Sequence, residues 1–148
     1  MSRFALLLAL TTAACGGAAQ SIEMKGNEPD LASIAGNWQG KYQAVETGRT
    51  GPIQFTLELG RHTADGQVTM GGSKLALKVS FVAVKHDTIS GSMEPYTEPT
   101  CACQVQTQFT GTLRGNEIDG TFTTKLLATG NELHGTWQVD RGAIADGS

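Results

Sequence analysis

Phe109-Thr110-Gly111-Thr112-Leu113, a turn at Arg114-Gly115-Asn116, and then Ile118-Asp119-Gly120-Thr121-Phe122 make up the stretch that decides the fold of this chain. Each five-residue block reads apolar, polar, Gly, polar, apolar. In an extended strand successive side chains point to opposite faces, so positions one, three and five share a face. That face is apolar, Gly, apolar, and the other carries Thr and Asp. A period of two with one wet side is the signature of a half-buried strand. The Gly-Asn turn between the blocks reverses the chain.

The block recurs. It stands at Ile34-Ala35-Gly36-Asn37-Trp38, Ile89-Ser90-Gly91-Ser92-Met93 and Leu133-His134-Gly135-Thr136-Trp137, with a weaker copy at Ala64-Asp65-Gly66-Gln67-Val68. A glycine between two large apolar residues on the inward face relieves crowding where a sheet curls tightly, as in a small barrel. Outside the blocks, Ile53, Phe55, Leu57 and Leu59 alternate with Gln54, Thr56 and Glu58. Strands are expected at about 37–45, 52–60, 65–70, 74–84, 87–94, 102–113, 116–126 and 130–141. Short turns such as Gly71-Gly72-Ser73 and Thr129-Gly130-Asn131 link them, and no 3.6-residue period runs for ten residues. The pattern predicts an all-β domain over 34–141, a single up-and-down antiparallel barrel of about eight strands. Such a barrel is filled by its own side chains or holds one small ligand.

Composition agrees. Nineteen glycines and only four prolines suit strands and tight turns. The formal charge is −3, with Lys and Arg spread thinly, which argues against a nucleic-acid partner. Residues 15–33 are small and polar and are expected to form a flexible tether. Residues 142–148 are expected to be a frayed tail.

The chain opens with one cation, Arg3, an apolar run from Phe4 to Leu10, and small residues up to Cys15. Seven apolar residues make a helix of about 10 Å, against the roughly 20 residues that cross a bilayer. Residues 1–14 therefore read as an export signal. The window Thr11-Thr12-Ala13-Ala14-Cys15 resembles a lipobox, with Thr12 where Leu is usual. That resemblance implies cleavage before Cys15 and acylation of its thiol, by palmitate and related chains. The mature chain would then keep 134 of its 148 residues, lipid-anchored in a bacterial envelope. Gly16 after the cysteine points in such proteins to the outer membrane, facing the periplasm. The alternative is an ordinary signal cut after Gly17-Ala18-Ala19, which releases a soluble secreted or periplasmic protein beginning at Gln20.

Gly36-Asn37-Trp38 resembles the G-x-W start of lipocalins, and Phe109-Thr110-Gly111-Thr112 and Leu133-His134-Gly135-Thr136 resemble strand segments of avidins. Both belong to the calycin group of small barrels. The resemblance implies a barrel in which a basic residue of the last strand, here Arg141, packs over Trp38 and closes one end. The lipocalin loop motifs and the avidin biotin set are missing, so the ligand stays open.

Three groups of residues are candidates for chemistry. Cys101 and Cys103 are the cysteines left once Cys15 is acylated or removed, and an oxidising compartment favours a disulfide between them. A redox pair and a soft-metal site remain alternatives. Glu94, Tyr96 and Glu98 lie on the longest loop and are candidates for a ligand-binding mouth. His62, His86 and His134 sit beside polar or turn residues and read as surface histidines. There is no G-x-S-x-G elbow, P-loop or H-E-x-x-H, so catalytic residues, metal and cofactor are all assigned as none. The expected function is a non-catalytic, membrane-anchored barrel that binds a small apolar ligand or an envelope protein. An alternative follows from resemblance to periplasmic metalloprotease inhibitors, small barrels whose N-terminal segment enters the protease; Ser21–Ser33 stands in the matching place. A metal or redox role through Cys101 and Cys103 is the other alternative.

Overall fold

The alternating blocks form strands close to where the pattern puts them. A computed structural model describes residues 19–142. Its strands are β1 (Gln20–Lys25), β2 (Gly36–Ala44), β3 (Thr50–Leu57), β4 (Thr63–Thr69), β5 (Ala76–Leu77) and β6 (Val79–Lys85). They continue with β7 (Thr88–Met93), β8 (Tyr96–Glu98), β9 (Cys103–Arg114), β10 (Glu117–Leu126) and β11 (Glu132–Arg141). One short helix, α1 (Glu28–Ser33), lies between β1 and β2. The leader, Cys15 and residues 143–148 lie outside the described residues.

Nine strands close into a barrel in the order β1-β6-β7-β9-β10-β11-β2-β3-β4, with β4 returning to β1. The short strands β5 and β8 are extra, paired to β4 and β9. The two blocks of the deciding stretch pair with each other across β9 and β10: Phe109 opposes Phe122, Gly111 opposes Gly120, and Leu113 opposes Ile118.

Three sequence expectations change. The barrel has nine strands rather than eight, because the segment before Ser33 supplies β1; the expected strand over 74–84 divides into β5, which lies outside the ring, and β6. It is mixed rather than purely antiparallel: β1 runs parallel to β6 and antiparallel to β4. The strand count requires this, since an odd number of strands in a closed ring cannot all alternate in direction. Finally, residues 20–33 are part of the domain and not a tether. Ile22 and Met24 of β1 point inward and are buried. Asn27 caps α1 by accepting from the Asp30 N–H at 2.9 Å, and Pro29 sits in the first turn.

One end of the barrel is packed solid. Trp38, Ile34, Leu57, Ile118 and Val139 are all buried there, beneath α1 and its inward Leu31. The Trp38 indole N–H donates to Ile34 O at 2.9 Å, and its ring stacks on Phe55 with centroids 5.9 Å apart. The Arg141 guanidinium lies over the Trp38 ring, 4.7 Å from its centroid, and donates to Ser33 O at 2.7 Å. Gly36, at a φ of +134°, turns the chain into β2 with the Arg141 side chain against it.

The block glycines have a sharper purpose than relief of curl. Five inward aromatics of the barrel stand opposite a glycine on a neighbouring strand: Tyr42 opposite Gly51, Phe55 opposite Gly66, Phe109 opposite Gly91, Phe122 opposite Gly135, and Trp137 opposite Gly120. In four of the five the partner's side chain fills the space that a Cβ on the glycine would need, and at Gly66 such an atom would press on Phe55 Cβ at 3.1 Å and on Ile22 at 2.7 Å. Pairing large with absent side chains lets rings lie flat along the inner wall. It also fixes register, since a one-residue slip would send every ring outward.

Candidate functional site

The end opposite α1 is built differently. The hairpins β2–β3, β4–β5 and β10–β11 and the turn between β8 and β9 form its rim. Below them an apolar cavity of about 130 Å³ runs down the barrel interior. Its wall includes Val68, Val79, Met93, Phe109 and Phe122, and it opens at the rim beside Thr47 and Arg49. An apolar cavity of about 150 Å³ accommodates benzene, whereas drug-sized ligands occupy roughly 300 Å³ or more. The interior therefore has room for one small aromatic or branched aliphatic group.

The charged groups of the cavity wall, Arg49 and Glu98, lie at the mouth. Arg49 Nη2 donates to Glu98 Oε1 and to Thr100 Oγ1, each at 2.9 Å, and Nη1 donates to Gly71 O at 3.3 Å. One guanidinium thus ties three rim turns together. Glu98 is 7% exposed and accepts a further bond from the Thr100 N–H, so its buried charge is paired and hydrogen-bonded. Arg49 Nε is buried without a partner among the described residues. The Tyr42 hydroxyl accepts from the Gly71 N–H at 3.0 Å, and burial raises its pKa above the ordinary 10.0. From Tyr96 a chain of hydroxyls runs inward through Thr107 to Thr124, with Tyr96–Thr107 at 3.0 Å and Thr107–Thr124 at 2.7 Å.

The sequence candidates divide accordingly. Tyr96 and Glu98 line the cavity mouth. Glu94 is exposed, off the cavity lining, with its backbone N–H donating to Lys78 O at 2.8 Å. Cys101 and Cys103 are joined by a disulfide in the β8–β9 turn, with Cα atoms 5.1 Å apart. Ala102 between them takes a φ of +51°, the local bend that brings the pair together. A bridged pair offers no thiolate to a metal. His62 and His86 lie at the α1 end near Glu28 and Asp30, and His134 meets Glu46 at the rim, so the three do not converge. Among the described residues no group of three or more His, Cys, Asp or Glu is placed to hold a metal ion.

Sequence reasoning missed Arg49 and the Thr107–Thr124 pair. The threonines carried a signal, because Thr107 has the same strand parity as Phe109 and Thr124 the same parity as Phe122. Arg49 carried none; it is one cation in a Thr-Gly-Arg turn. Comparison of the chain with protein-family models and with curated proteins finds no match.

Proposed function

We propose that this protein is a non-catalytic, lipid-anchored envelope barrel that binds a small apolar or amphipathic ligand in its interior. The observation that carries this reading is the apolar cavity that opens at a polar rim. A cavity lined by aliphatic and aromatic side chains stays dry, so an apolar group entering it displaces little ordered water. Tyr96, Glu98 and the unpartnered Arg49 Nε at the entrance suit the polar end of an amphipathic molecule, with Nε offering it one donor. The calycin resemblance of Gly36-Asn37-Trp38 and Arg141 is consistent with a ligand-binding barrel. The anchor is the reading of Cys15 in its lipobox-like window.

Native mass spectrometry of the protein from envelope extracts tests this. The expected result is an acylated mature chain beginning at Cys15, with a fraction carrying one small non-covalent ligand. A mature chain beginning at Gln20 would overturn the anchor. A protein that takes up no small apolar molecule at any concentration would overturn the binding role and leave the envelope-interaction alternative.

A further inference from the structure

The four exposed large aliphatic side chains among the described residues are unevenly placed. Val45, Leu75 and Leu127 are 68%, 45% and 49% exposed. They fall one each on the β2–β3, β4–β5 and β10–β11 turns. These turns are neighbours around the rim, because β11 pairs with β2 and β3 pairs with β4. The fourth, Leu59, lies at the α1 end among charged groups, including Glu58, Arg61, His62 and Glu28. Three of the four thus share the rim, where Lys74 and Lys125 stand beside Leu75 and Leu127, and one stands alone at the α1 end.

The chain enters from the rim end. β1 runs from the rim side toward α1, and Gln20 at its start bonds Leu77 O at 2.7 Å and the Val79 N–H at 2.9 Å. Cys15 is five residues upstream, a span of about 17 Å at full extension. To reach the α1 end the segment would have to retrace the whole of β1, using all of that length.

We propose that the rim is a membrane-docking face, with Val45, Leu75 and Leu127 seated in the interface of the bilayer that holds the Cys15 acyl chains. This rests on the lipoprotein reading above. Lys74 and Lys125, beside two of these side chains, are exposed and have long stems suited to the headgroup level. The rim acids Glu46 and Glu132 both face His134, at 3.1 and 3.8 Å. In this orientation the cavity opens toward the lipid, and its ligand enters from the bilayer side.

The test uses the mature protein purified from membranes and reconstituted in phosphatidylethanolamine–phosphatidylglycerol vesicles that contain doxyl-labelled lipid. An environment-sensitive fluorophore is attached through Val45→Cys, Leu75→Cys, Leu127→Cys or Leu59→Cys, all at exposed sites. A face seated about 5–10 Å into the headgroup boundary predicts loss of roughly half the emission at the three rim positions and none at position 59. Equal, water-like emission at all four positions on an acylated chain would overturn the docking face and leave the anchor standing. An intact mass without acyl chains on Cys15 would overturn the anchor, and the docking face with it.

Discussion

Trp137 occupies the space that a side chain at Gly111 would fill: an added Cβ would stand 2.5 Å from Trp137 Cζ2. The indole N–H is anchored on carbonyls of β9 and β10, at 3.1 Å from Thr110 O and 3.3 Å from Thr121 O, so the ring has little freedom to withdraw. The same relation holds between Phe122 and Gly135.

Gly111→Ala and Gly135→Ala are therefore expected to destabilise the barrel by about 1–3 kcal/mol each, the usual cost of overpacking a filled interior. Urea unfolding followed by Trp fluorescence measures this as a lower midpoint with an unchanged slope. Wild-type midpoints would show that the rings move aside freely.

Glu98 holds Arg49 across the mouth. Glu98→Ala leaves a mostly buried guanidinium with one partner fewer and is expected to cost about 1–3 kcal/mol. It should also loosen the 99–102 turn, read as faster amide hydrogen exchange at Thr100, whose N–H donates to Glu98. Unchanged exchange at Thr100 would show that the turn is held by other contacts.

Thr107 and Thr124 share one hydroxyl network with Tyr96. Thr107→Val strands both neighbours and is expected to cost about 1–3 kcal/mol. The double variant Thr107→Val/Thr124→Val leaves fewer orphaned groups, so its loss should be smaller than the sum of the two single losses. Strict additivity would mean that the three hydroxyls act independently.

The Glu46 carboxyl is held below its ordinary 4.5, first by the His134 backbone N–H, which it accepts at 2.8 Å, and then by the His134 ring. A carboxylate depressed in the folded state adds stability above its unfolded pKa, and that stability is lost as pH falls through the folded value. The His134 amide proton shift should thus titrate below pH 4.5, and Glu46→Gln should abolish that step. Titration at or above 4.5 would mean that the bond is absent in solution.

The sequence revealed the barrel through a repetition that only one geometry satisfies. Phe109-Thr-Gly-Thr-Leu and its copies bury one face in every other residue, and closure of a small sheet is the arrangement that uses a glycine between two large neighbours. The strand β1 was hidden because Ile22 and Met24 are two apolar residues in a polar run, too few to show a period. Its burial comes from pairing on both edges, which is a long-range property. Helix α1 is six residues long, below the length at which a 3.6-residue period can appear, although Asn27-Glu28-Pro29-Asp30 carries a capping signature. At the site, Tyr96 and Glu98 were legible as loop residues near strands. Arg49 was not, because its importance lies in partners 22 to 51 residues away in the chain.

In the proposed function the barrel interior takes a small apolar group through the rim. Titration of the ¹⁵N-labelled protein with benzene, followed by amide chemical shifts, tests it most directly. Saturable shifts are expected at Phe109, Phe122 and Met93 and should disappear in Val68→Phe, where the larger ring fills the cavity from β4. No saturable shift up to the solubility of benzene, or shifts that persist unchanged in Val68→Phe, would contradict it.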